Sequence, residues 1–103
     1  MRVEVVHIDA CPNWISAGER TRAALDTLGM EDVSVEYLLL RTPEEASEVA
    51  FAGSPTILLD GEDAFPSAGR TTDLACRIYQ TGTGLAGLPT VNQIEDAIRS
   101  RLS

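Results

Sequence analysis

The chain has 103 residues, 44% of them hydrophobic, enough for one ordinary domain that buries its own core without staples. Its net charge is −8, from 16 acidic and 8 basic residues, which argues against nucleic-acid and anionic-membrane partners. No apolar run approaches the ~18 residues of a membrane-spanning helix, and two cysteines with one histidine are too few for a disulfide framework or a structural zinc site.

Residues 2–8 carry Val3, Val5, Val6 and Ile8 and predict a strand buried on both faces. The same stretch has Glu4 inside a short apolar run and no small-residue cleavage site, so it reads as a strand rather than a signal peptide, and a cytoplasmic location is expected. From Pro12 to Leu28, Trp14, Gly18, Thr21, Leu25 and Leu28 form one helical stripe, with Pro12 placed at the first helical position and Gly29 just past the end. A second strand is predicted over Val33–Leu40. Thr42-Pro43-Glu44-Glu45 then starts a short helix with a capping box, ending near Phe51.

Ser54-Pro55-Thr56 opens a third strand that runs to Leu59, since proline is tolerated at a strand's first residue, and Asp60-Gly61 is a turn signal. Residues 62–73 are expected to be loop. Leu74–Gln80 alternates and is read as the fourth strand, and Thr81–Gly87 as a glycine-rich turn. Pro89-Thr90 opens a last helix, with Thr90 and Gln93 as a capping box and Val91, Ile94, Ile98 and Leu102 on its apolar stripe. The order β-α-β-α-β-β-α predicts one α/β domain over residues 1–103. It consists of a four-stranded mixed sheet flanked by three helices, its first half a parallel β-α-β crossover.

Chemistry centres on Cys11-Pro12-Asn13-Trp14, at the first strand-to-helix junction. A cysteine there meets the orphan N–H groups and the positive end of a helix, which favour a thiolate, while Asp9 two residues earlier opposes one. The alternative is an inert cysteine retained with the fold. Trp14 either packs over the Cys11 side of the domain or forms an exposed aromatic lip. His7, alternating with Val5, reads as a hydrogen-bonded core residue and not as a base for Cys11.

That element order, with a cysteine at the first strand-helix junction and Ser54-Pro55-Thr56 opening the third strand, resembles the thioredoxin fold, most of all its small glutaredoxin-like members. The resemblance spans nearly the whole chain. It implies a cis bond at Ser54-Pro55, Cys11 as the nucleophile, Pro12 and Asn13 as the intervening residues, and a Ser54 backbone open to pair with an extended thiol-containing substrate. Thr56 is implied as a further substrate contact. Trp14 stands where a dithiol member carries its resolving cysteine, so the motif is a single-cysteine one. A glycine pair before the last helix, as in glutathione-binding members, has counterparts in Gly82, Gly84 and Gly87, but no Lys or Arg flanks Cys11. The chain is also similar to small thioredoxin-like proteins, some labelled alkylmercury-lyase-like.

Cys76 lies in the predicted fourth strand and reads first as a small buried hydrophobe. As a resolving partner for Cys11, or as a second thiolate for a soft metal such as mercury, it needs its Cα within about 7 Å. An edge strand, with the third strand between it and the first, places it several ångströms too far. Tyr79 reads first as a simple edge-strand aromatic, with an approach to Pro55 as the alternative if the hairpin is in regular register, and Arg70 and Arg77 are the basic residues of the 62–80 region for an anionic thiol compound.

The expected activity is a thiol/disulfide redox or thiol-transfer role through Cys11, with an external thiol resolving the adduct. The expected partners are a small thiol or a protein disulfide. No resident cofactor and no metal site are expected, only a low-molecular-weight thiol as co-substrate. The alternatives are a non-catalytic module that grips an extended peptide at the cis-proline groove and Trp14, and a soft-metal or organomercurial handler.

Overall fold

A computed structural model describes residues 1–66 and 69–102. The elements are β1 (Val3–His7), α1 (Trp14–Thr27), β2 (Val35–Leu39), α2 (Pro43–Ser47), β3 (Thr56–Leu59), β4 (Glu62–Asp63), β5 (Tyr79–Thr81), β6 (Gly84–Ala86) and α3 (Val91–Leu102). A four-stranded mixed sheet has the order β2-β1-β3-β4, with β1 parallel to β2 and the other pairs antiparallel.

β1 is central, as its valines predict: Val3, Val5 and Val6 are fully buried. The strand period of two divides its side chains between two cores. Val3, with Ile57 and Leu59 of β3, packs against Ala24 and Leu25 of α1 and Ile94 and Ile98 of α3. Val6 and Leu58 face the other way, with Ile8, Cys11, Leu40, Ala46 and Phe51.

The caps form where the sequence places them. Thr42 Oγ1 accepts from the Glu45 N–H at 3.2 Å, and the Glu45 carboxylate reaches back to the Arg41 N–H at 2.7 Å. Thr90 and Gln93 exchange two hydrogen bonds, of 2.8 and 3.1 Å, in a complete capping box. Two helix boundaries move. α1 begins at Trp14 with Asn13 as N-cap, two residues after Pro12, and α2 stops at Ser47 rather than near Phe51.

The larger correction concerns the fourth strand. It is Glu62–Asp63, inside the segment 62–73 expected to be loop; residues 67 and 68 of that segment lie outside the described residues. Asp60 (φ 52°) and Gly61 (φ 83°) turn the chain directly back onto β3, pairing Leu58 with Asp63 and Leu59 with Glu62. An Asp-Gly pair is the usual two-residue hairpin connection because both residues must take positive φ. Residues 74–78 therefore have no place on that sheet edge. The chain next forms a separate hairpin, β5 with β6, across the stretch expected to be a simple turn.

Candidate functional site

Ser54, Pro55 and Thr56 are all buried, and the Ser54-Pro55 bond is cis. Ser54 is a junction for three parts of the chain. Its Oγ accepts from the Ile8 N–H at 3.1 Å, tying it to the end of β1. Its N–H donates to the Ala75 carbonyl at 2.9 Å, and its carbonyl accepts from the Arg77 N–H at 2.8 Å. Segment 75–77 thus lies beside Ser54 as a one-residue parallel bridge centred on Cys76. Both backbone groups that the family resemblance leaves open for a substrate are paired within the chain. Thr56 is equally committed, its hydroxyl donating to the Gly53 carbonyl at 2.5 Å and accepting from the Ala52 N–H at 3.1 Å.

This bridge brings the two cysteines together. Cys11 and Cys76 form a disulfide with their Cα atoms 5.9 Å apart, inside the range such bonds require. The sequence expectation that Cys76 is out of reach of Cys11 is overturned, because residue 76 is not on the sheet edge that expectation assumed. The environments of the two residues also differ from what was expected. Cys11 is 1% exposed, among Val6, Ile8, Leu40, Phe51 and Leu58. Cys76, read as a small buried hydrophobe, is exposed.

Arg77 explains why the chain runs this way. Its side chain, only 3% exposed, pairs with Asp63 at 3.1 Å, donates to the Phe65 carbonyl and lies 4.5 Å over the Tyr79 ring. Tyr79 is buried and its hydroxyl donates to the Pro55 carbonyl. Burial pushes the Tyr79 phenol well above its usual range, with the Arg77 charge opposing. Arg77 is thus consumed internally and is not free to hold an anionic thiol compound. Arg70, the other candidate, donates to the Val49 carbonyl at 2.7 Å. Gly53 permits the close passage: at φ 107°, a Cβ there would lie 2.8 Å from Cβ of Arg77.

On the other side of Cys11, Pro12 is exposed and Asn13 half-buried, and Asn13 makes no side-chain capping bond to α1. The Asn13 amide instead faces Gly87, where a Cβ would collide with it. Trp14 is half-buried and stacks on His7, ring centroids 4.3 Å apart and planes 15° from parallel, and its far side meets Tyr37 edge-on at 5.5 Å. It is packing rather than a free lip. His7 is buried as expected, but its Nδ1 has no hydrogen-bond partner among the described residues, and burial holds its pKa below the ordinary value. The Ile8 backbone and the Asp9 carboxylate act in the opposite direction.

Among the described residues there is no group of three or more His, Cys, Asp or Glu side chains able to hold a metal ion, and no helix is long and apolar enough to cross a membrane. Sequence reasoning missed the Asp63–Arg77 pair. The one available signal was an arginine set between Cys76 and Ile78 in a stretch otherwise read as an alternating strand.

Fold and site together define a mixed α/β domain whose two cysteines are joined across the end of its central strand. In comparisons with known proteins, no protein-family model, no curated protein and no solved structure matches the chain.

Proposed function

We propose that this is a thioredoxin-like thiol/disulfide exchange protein that works through Cys11, with Cys76 as its second sulfur. The observation that carries the reading is the meeting of Cys11 and Cys76 at a Cα separation of 5.9 Å, one buried and one exposed. A pair so placed cycles between dithiol and disulfide by exchange through a mixed disulfide, and needs no resident cofactor. The cis Ser54-Pro55 corner beside the pair and the position of Cys11 ahead of α1 support the same reading.

The test is mass spectrometry of the reduced protein incubated with glutathione disulfide. The expected product is a monomer lighter by two hydrogens, with two glutathiones released. Cys11→Ser should stop at a glutathione adduct on Cys76, and neither Cys11→Ser nor Cys76→Ser should reach the monomer lighter by two hydrogens. A stable single adduct on Cys11 of the unsubstituted protein would instead support a monothiol cycle resolved by an external thiol. No reaction at either cysteine would sink the redox reading. The closeness of the two sulfurs also favours a second reading, capture of a soft cation between two thiolates. Stoichiometric mercury binding by a reduced protein that does not exchange with disulfides would establish that reading.

A further inference from the structure

We infer that Cys76, not the motif cysteine Cys11, is the sulfur that an incoming thiolate attacks when the disulfide is opened, and that Cys11 is the leaving and resolving sulfur. This rests on the exchange reading above and assigns the order of its steps.

Thiol–disulfide exchange is a displacement whose rate depends on which sulfur can be approached. The attacking thiolate comes in along the S–S axis, from behind the sulfur it strikes. Cys11 is packed into the core with Val6, Ile8, Leu40, Phe51 and Leu58, and the residue is 1% exposed. Cys76 is exposed, as are Ala75 before it and Ile78 two residues on, the latter at 68%. An attacker of any size therefore reaches Cys76 first.

The chemistry balances with a low-molecular-weight thiol as reductant. A first thiolate bonds to Cys76 Sγ, the Cys11–Cys76 bond breaks, and its electron pair leaves on Cys11 Sγ. That thiolate forms two residues ahead of the α1 N-cap Asn13, which makes no side-chain capping bond, at the end of the helix whose dipole favours negative charge. A second thiolate then takes the first thiol off Cys76 as an external disulfide, so two thiols are oxidised and the protein disulfide is reduced. In reverse, reduced Cys76 accepts the mixed disulfide and Cys11 resolves it.

Anchors on both sides of Cys76 keep the cycle intramolecular. Cys76 is followed immediately by Arg77, held by Asp63 and by its own N–H on the Ser54 carbonyl. On the other side, Thr71 N–H bonds the Phe51 carbonyl at 2.8 Å. A Cys76 adduct therefore stays next to the Cys11 thiolate instead of drifting away with a free loop.

The experiment uses the oxidised full chain. It is mixed briefly with glutathione and, separately, with mercaptoethanol, quenched in acid, alkylated with a maleimide and mapped by peptide mass spectrometry. The expected pattern is the small thiol on Cys76 and the maleimide on Cys11, in excess over the reverse by about tenfold or more, because access governs the rate. An even split, or the small thiol mainly on Cys11, overturns the assignment while leaving the exchange reading intact. If mild oxidation never yields the monomer lighter by two hydrogens, the exchange reading falls and takes this assignment with it.

Discussion

Reducing the disulfide is expected to remove a large part of the protein's stability, and the size follows from where the bond sits. Cys11 and Cys76 are 65 residues apart in sequence. Joining them removes loop-closure freedom from the unfolded chain by roughly 14–15 cal/mol/K, or about 4 kcal/mol at room temperature. The folded side of the balance should change little, because Cys11 keeps its packing in the Phe51 core and segment 75–77 keeps its hydrogen bonds to Ser54. Against a typical total of ~5–15 kcal/mol, that loss is large. Urea titration of the oxidised and reduced protein, followed by tryptophan fluorescence, measures it directly. Trp14 is the only tryptophan and is stacked on His7, so its emission reports loss of the fold at the site itself. Cys76→Ser should match the reduced protein and be indifferent to reductant. A difference below about 1 kcal/mol between oxidised and reduced forms would mean that the bond does not close this loop in the folded chain.

The buried ion pair and the buried histidine give two further tests. Asp63→Ala leaves the Arg77 guanidinium 3% exposed and without its carboxylate. It should cost about 3–5 kcal/mol, most of it recovered in Asp63→Ala/Arg77→Met. A loss under about 1 kcal/mol in the single variant would show that the guanidinium reaches water. His7 is held neutral in the folded protein, below its ordinary value of 6.5, while the unfolded chain takes up a proton there. Stability should therefore fall as pH drops through the region below 6.5 and be insensitive to His7 above it. His7→Gln should remove that component of the slope in urea midpoints compared at pH about 5.5 and about 7.5. An unchanged slope would show that the ring is protonated in the fold.

The legible parts of the sequence are those where local chemistry and tertiary placement agree. The apolar run of β1, the Trp14–Leu28 stripe, and the caps at Thr42 and Thr90 all appear within a residue or two of their expected places. The segment from Leu74 to Gln80 failed for a physical reason. Its apolar parity, Leu74, Cys76 and Ile78, points to one buried face, yet the buried residues are Arg77 and Tyr79, and Ile78 is 68% exposed. A shift of one residue in register exchanges the two faces of an extended segment. Here the polar parity won because each inward group finds a partner, Asp63 for Arg77 and the Pro55 carbonyl for Tyr79. Those partners lie 14 and 24 residues earlier in the chain, beyond the reach of any local pattern. The pairing of Cys11 with Cys76 follows from the same parity, since burying Arg77 and hydrogen-bonding Ser54 carries residue 76 to the end of β1.

The span of the disulfide also sets how the chain carries tension. A pull applied at the two ends of the oxidised protein runs from β1 through the Cys11–Cys76 bond to β5 and α3, bypassing the 65 residues of separation between the cysteines. β2, β3 and β4 lie on that bypassed arc, so tension along the covalent chain does not pass through them and they are loaded only by shear against β1. Opening one bond brings the arc into the line of force, with roughly 220 Å of extra contour at ~3.4 Å per residue.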